Sequence, residues 1–126
     1  MRIGAIYKQP NKDRERFFDG IDYESAGFSF FCGSCNNLVV IGLVSFLSDS
    51  DKWESNFKEA EVSEIVEVLG LSKVLSSYKA PDKSSPYIST TNCRKCGHNH
   101  LVYVGFHEFQ PSRYVGTLHG VYEAIT

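Results

Sequence analysis

The residues best placed to do chemistry in this chain are its four cysteines. They fall in two close pairs, Cys32-Gly33-Ser34-Cys35 and Cys93-Arg94-Lys95-Cys96. Two thiols separated by two residues can turn on one knuckle of backbone and aim both sulfurs at one point. Two such pairs supply four soft ligands, the donor set of a tetrahedral zinc site with Zn–S distances of about 2.3 Å. Gly97 follows the second pair and can take the positive φ that lets the chain leave such a turn. Asn36, the next most tolerant residue type there, follows the first.

The residues between the pairs, Asn36 to Asn92, number 57, against roughly 15–20 in the commonest two-pair zinc pattern. Loop closure costs only about 0.6 kcal/mol more per doubling of length, so the excess amounts to roughly 1 kcal/mol. Zinc binding in small peptides contributes about 10–16 kcal/mol. Length therefore permits a shared site, provided the insert folds and brings its ends together. Disulfides are the first competing use, but Met1 to Phe30 shows no basic start followed by a continuous apolar core, as an export signal would. A redox dithiol is the second. Such a motif opens a helix, whereas Cys35 is followed by Asn36-Asn37-Leu38-Val39-Val40-Ile41, which reads as turn then strand. Four unrelated buried thiols are the third.

Histidines are the other candidates. Gly97-His98-Asn99-His100 invites comparison with His-Asn-His nucleases, which need a following helix to return further ligands; here a strand pattern follows. With four cysteines in register, His98 and His100 find no vacancy on the metal. His107 and His119 fall on the two arms of an expected hairpin and could face each other. No Gly-rich phosphate loop and no Gly-x-Ser-x-Gly are present. The expectation is a protein without enzymatic activity.

The elements that must position these residues can be read in outline. A chain of 126 residues is expected to form a single domain over 1–126. Nine Phe and seven Tyr favour a β-containing globular fold, and a net charge of −2 gives no global pull toward nucleic acid or anionic lipid. No apolar stretch approaches the about 20 residues of a membrane span, so a soluble, cytoplasmic protein is expected. Met1 to Lys8 reads as a weak strand and Lys12 to Asp19 as a solvated mixed-charge segment, anchored by Phe17 and Phe18. Gly27 to Phe31 delivers the first knuckle, and Leu38 to Leu47 reads as a strand buried on both faces. An insertion over 48–80 is expected to hold short helices, with N-cap residues at Ser48-Asp49-Ser50-Asp51 and a break near Glu61 to Ser63. Gly70 can cap one helix, and Ser72 can start another that Pro81 ends. Tyr87 to Thr91 and Leu101 to Phe106 flank the second knuckle. Gln110-Pro111-Ser112 then turns into a returning strand with Tyr114, Gly116, Leu118, Gly120 and Tyr122 on one face.

Two knuckles between strand-like segments, covering about Gly27 to Leu38 and Thr91 to Phe106, resemble those of zinc-ribbon proteins. That resemblance implies Cys32, Cys35, Cys93 and Cys96 as ligands of a structural Zn2+. The fold class expected is α+β, an antiparallel, ribbon-like core with a helical insertion between knuckles 32–35 and 93–96. For function, the insert is the acidic part of the chain. Asp51, Glu54, Glu61, Glu64 and Glu67 there can form a surface that steers a basic protein partner, as in an inhibitor or toxin-neutralising protein. The alternative is a nucleic-acid-binding ribbon using Arg94 and Lys95 with Lys79, Lys83, Tyr103 and Phe106.

Overall fold

The computed structural model describes residues 1–126 and is mostly antiparallel sheet with two short helices, an α+β arrangement. In chain order the elements are β1 (Arg2–Lys8), β2 (Glu15–Gly20), β3 (Gly27–Phe31), β4 (Leu38–Gly42) and α1 (Leu43–Ser50). A 3-10 turn (Trp53–Asn56), α2 (Glu59–Leu69), β5 (Ser72–Val74) and β6 (Ser77–Lys79) come next. The chain closes with β7 (Ser85–Asn92), β8 (Asn99–Gln110) and β9 (Arg113–Ile125).

The central sheet runs β1-β9-β8-β7, with β2 also paired to β9. β1 lies along the end of β9, Arg2 opposite Ile125 and Lys8 opposite Val121. β2 continues the same edge, Glu15 opposite Leu118 and Gly20 opposite Tyr114. The two strands are thus pieces of one edge strand, interrupted where residues 9–14 loop out beside His119 and Gly120. The segment expected to be merely solvated therefore becomes β2, an edge strand with charged side chains, which protects that edge from further pairing.

The long β8–β9 hairpin forms as its turn residues predict, but its alternation is broken. Tyr103 stands opposite Gly120 and Val104 opposite Leu118, so His119 is an extra residue on β9. One inserted residue in a period-2 strand exchanges the faces beyond it. Leu118 and Val121 consequently share a core with Val102 and Val104. Tyr122 joins the opposite face, and His119 stacks on Tyr103 with ring centroids 4.8 Å apart. The expected grouping of Leu118 with Tyr122 is corrected by this bulge.

Apolar cores lie on both faces of the sheet. On one, Trp53, Ile65, Leu69 and Leu71 cover Ile88, Leu101, Tyr103 and Tyr122. On the other, Phe28 and Phe30 of β3 with Phe46 of α1 cover Val102, Val104, Leu118 and Val121. The helices therefore occupy opposite faces, and the chain crosses between them near β7, where Trp53 is buried.

Three expectations for the insertion change. The Leu38 to Leu47 run stops being strand at Gly42, where β4's pairing to β3 ends at Gly27. Leu43 and Phe46, three apart, then bury the same helical face of α1. β4 itself is covered on one face only. Ser48 to Ser50 lie inside α1, and the Ser50 hydroxyl donates back to the Phe46 carbonyl, which satisfies it within the helix. α2 runs unbroken through Glu61 to Ser63. Its start is set by the Glu61 carboxylate, which accepts the Lys58 N–H at 2.8 Å, so the break falls before Glu59. Gly70 caps α2 at φ 68° as expected. Beyond it lies the β5–β6 hairpin, not a third helix: Leu75 adopts φ 58° in its turn and stands almost fully exposed.

Two acidic residues of α2 hold the edge of the sheet. The Glu64 carboxylate accepts the Ile3 N–H at 2.6 Å, and Glu61 lies 2.5 Å from the Met1 ammonium. Reversing Glu64 places a cation against a backbone donor. Glu64→Lys is expected to speed hydrogen exchange at the Ile3 amide by at least about tenfold, since one lost charge-assisted hydrogen bond is worth about 1.5–3 kcal/mol. Unchanged exchange at Ile3 would show that β1 does not rely on this contact.

Candidate metal centre

Each knuckle is the turn of a β-hairpin, and both use the same backbone wiring. Cys32 follows β3 directly, its N–H donating to the Asn37 carbonyl at 2.8 Å and its carbonyl accepting the Asn36 N–H at 3.0 Å. Cys93 follows β7 directly, with the same pair of bonds to His98 (2.9 Å) and Gly97 (2.8 Å). The residue after each second cysteine carries the positive φ, 60° at Asn36 and 76° at Gly97. The turn chemistry of the sequence is thus realised twice, once in the β3–β4 layer and once in the central sheet.

Packing of β3 on the central sheet brings the knuckles together. All four sulfurs lie within 4.8 Å of one another and could hold a metal ion. Cys32 Sγ lies 3.6 Å from Cys96 Sγ, and Cys35 Sγ lies 3.6 Å from Cys93 Sγ. Four sulfurs at about 2.3 Å from a common centre are spaced about 3.8 Å apart, so the thiols already stand near the edge length of a tetrahedron. They are well beyond the about 2.05 Å of a disulfide. Cys32 and Cys93 are buried, whereas Cys35 and Cys96 are exposed, so the site has a covered side and an open side.

The electrostatics favour a cation. The Cys96 and Lys95 N–H groups aimed at Cys93 outweigh burial and hold its thiol down at about 7. Burial acts to raise Cys32, but N–H groups of Cys35 and Ser34 and the neighbouring thiols bring it below its ordinary value. The Asn37 N–H favours the thiolate at Cys35, yet burial and the three other thiols push it up to about 11. Thiolates packed this closely repel, and a divalent ion lets all four ionise together.

Neither histidine beside the second knuckle belongs to the sulfur cluster. His100 is fully buried, and its Nε2 accepts the Gly33 N–H at 3.1 Å, tying the sheet to the first knuckle. His98 Nε2 is 2.8 Å from the Tyr7 hydroxyl. A Cβ on Gly33 would come within 2.1 Å of the Tyr7 ring, so only glycine lets β1 lie against this knuckle. Tyr7 and the packing role of Gly33 gave no signal in the sequence beyond a weak strand and a generic turn residue.

The other predicted residues are dispersed. Of the acidic set, Asp51, Glu54 and Glu67 remain without an ion-pair partner, while Glu61 and Glu64 are engaged by β1. Tyr103 and Phe106 are buried, 1 % and 7 % exposed, so they offer no surface for stacking bases, which corrects that part of the nucleic-acid expectation. His107 stands opposite Val115, not His119. His119 instead meets Asp82 Oδ2 at 3.3 Å and Ser84 Oγ at 3.4 Å, both through Nε2. A nucleophilic triad places acid and nucleophile on different ring nitrogens, and Ser84 here donates its proton to Asp82 at 2.6 Å. The group is a polar cluster, not a relay. No helix of the structure is long and apolar enough to cross a membrane. Comparison with protein-family models, curated proteins and solved structures found no match.

This geometry makes two outcomes testable. Gly33→Ala should displace Tyr7 and weaken metal retention against a competing chelator by about tenfold or more, within the range typical when groups supporting metal ligands are lost; equal retention would separate Tyr7 from the site. The second concerns pH. Burial acts to raise Asp82, but both Ser84 hydrogen bonds and the charges of His119 and Arg14 overcome it and hold the carboxyl below its ordinary value. Burial lowers His119, against the pull of Asp82. Both folded-state values lie below the unfolded ones, so their stabilisation is complete above about pH 6.5 and is lost on acidification, His119 first and Asp82 below about pH 4. Asp82→Asn should flatten the melting-temperature profile below about pH 4 while the His119 part above it persists; an unaltered slope below about pH 4 would place that titration elsewhere.

Proposed function

We propose that this chain is a zinc-stabilised, non-catalytic module that binds another protein. Zinc is the ion that best suits four thiolates in tetrahedral array, and a four-thiolate ion has no open position at which to activate water. The centre then acts as a fastener between the β3–β4 layer and the central sheet, and the function lies on the surface that it fastens.

The observation that carries the binding role is the outer face of the β3–β4 hairpin. Phe31 stands directly across from Leu38, and Val40 shares their face; they are 60 %, 49 % and 73 % exposed. Cross-strand neighbours of this kind form a contiguous apolar patch, which monomeric surfaces rarely leave uncovered at scale. Leu38 and Val40 also line a small depression with Arg94, which puts one knuckle cation at the patch margin. Asp51, Glu54 and Glu67 are the carboxylates left to steer a basic partner, so their contribution is to association rate, with the apolar face supplying the contact.

A pull-down with the zinc-loaded chain against its Phe31→Ser/Val40→Ser variant tests this. The partner held by the wild-type chain should bind the variant at least about tenfold more weakly, while melting shifts little, because exposed substitutions usually stay within about 0.5 kcal/mol. Unchanged capture by the variant, or salt-sensitive capture of nucleic acid in place of protein, would contradict the reading.

A further inference from the structure

The bulge at His119 and the gap between β1 and β2 coincide, and a cleft of about 260 Å³ opens beside them. Residues 9–14 leave the sheet edge here, the end of α2 forms the opposite wall, and His119, Tyr103 and Tyr122 come from the sheet. The site is built with some cost to regular structure. A Cβ on Gly105 would come within 2.2 Å of His119 Nε2 and 2.4 Å of Ser84 Oγ, so glycine is required for this cluster to close. On Gly120 a Cβ would stand 3.1 Å from the Lys8 carbonyl, where the edge strand departs.

The polar groups around the cleft do not balance. Asp82 is saturated: Oδ1 accepts the Ser84 N–H at 3.1 Å and the Ser84 hydroxyl at 2.6 Å, and Oδ2 takes Arg14 at 2.7 Å with His119 at 3.3 Å. Arg14 has further N–H groups beyond that one bond and is 44 % exposed. Tyr103 is 1 % exposed, lines the cleft, and its hydroxyl has no hydrogen-bond partner. A buried hydroxyl left unpaired is costly and uncommon. The guanidinium and this hydroxyl are both free to donate, beside a wall supplied by Leu69, Val68 and Tyr122.

We infer that this cleft binds a small organic anion, a carboxylate on an apolar body, with Arg14 and the Tyr103 hydroxyl on the carboxylate and the body against Leu69 and Tyr122. A guanidinium and an unpaired hydroxyl on the lining of one cleft suit the two oxygens of a carboxylate, and the apolar wall suits what the carboxylate is attached to. The site is separate from the sulfur cluster and from the apolar face of β3–β4, so it adds a ligand to a protein proposed above to bind a partner.

Sodium benzoate is the probe, titrated into the metal-loaded, isotopically labelled chain, with benzyl alcohol as the neutral shape match and inorganic phosphate as the anion without a body. Saturable shifts of the Gly70, Gly105 and His119 amide signals are expected with benzoate, and binding at least about tenfold weaker with either control. Tyr103→Phe should leave melting unchanged or raise it, since it removes an unpaired hydroxyl, yet weaken benzoate by about tenfold. Arg14→Gln should weaken it further. No saturation by about 20 mM benzoate, equal binding of benzyl alcohol or of phosphate, or undiminished benzoate binding in Tyr103→Phe would overturn the inference. The last result would leave the hydroxyl to a buried water.

Discussion

The convergence of four sulfurs is the constraint on which the rest of the structure depends. The β3–β4 hairpin is only two strands wide, and ribbons of that size are marginal alone. It is kept on the sheet by Phe28 and Phe30 packing on Val102, Val104, Leu118 and Val121, and its turn meets that of β7–β8 at the sulfur cluster. A cation at the cluster joins two points far apart in sequence, and so restricts the unfolded chain as well as the folded one. The buried His100 reinforces the same junction through Gly33, and Tyr7 extends it to β1. Three separate segments thus meet at one corner of the molecule.

From that corner the sheet carries order to its other end. β8 and β9 span both cores, and the one irregularity in their pairing, the extra residue at His119, redirects a histidine toward a gap in the edge strand. Bulges of this kind tend to re-aim side chains where a fold does something beyond packing. The sulfur corner, the exposed face of β3–β4 and the cleft beside His119 are therefore three places with three different chemistries. The first is built of soft ligands, the second of uncovered apolar side chains, the third of surplus hydrogen-bond donors.

Local chemistry was the legible part of the sequence. The knuckles announce themselves through cysteine spacing and the Asn36 and Gly97 that come after them, and the β8–β9 hairpin through its turn at Pro111 and Ser112. The Gly70 cap was legible for the same reason: positive φ is a property of one residue. What could not be read were features decided by distant neighbours. Leu38 to Leu47 looks like one apolar strand, and only the end of pairing at Gly27 converts its second half to helix. Ser72 to Lys79 carries helical spacing yet folds as a hairpin, with Leu71 and Ala80 buried at its two ends. The bulge at His119 has no local signature except Gly120, and the occupation of Glu61 and Glu64 depends on β1, roughly sixty residues away in the sequence. Charge counted along the chain overstated the acidic surface because pairing across the fold is invisible in a count.

X-ray absorption at the metal edge, on protein purified without added metal and checked by intact mass, reads the ligands of the sulfur site. One zinc per chain is predicted, with four sulfur scatterers at about 2.3 Å and no nitrogen in the first coordination sphere. Nitrogen scatterers at about 2.0–2.1 Å would bring His98 or His100 onto the metal and contradict the positioning roles given to them. A metal-free chain whose mass is short of its thiol hydrogens would mean disulfides, and the fastening of the two layers by a shared ion would be wrong.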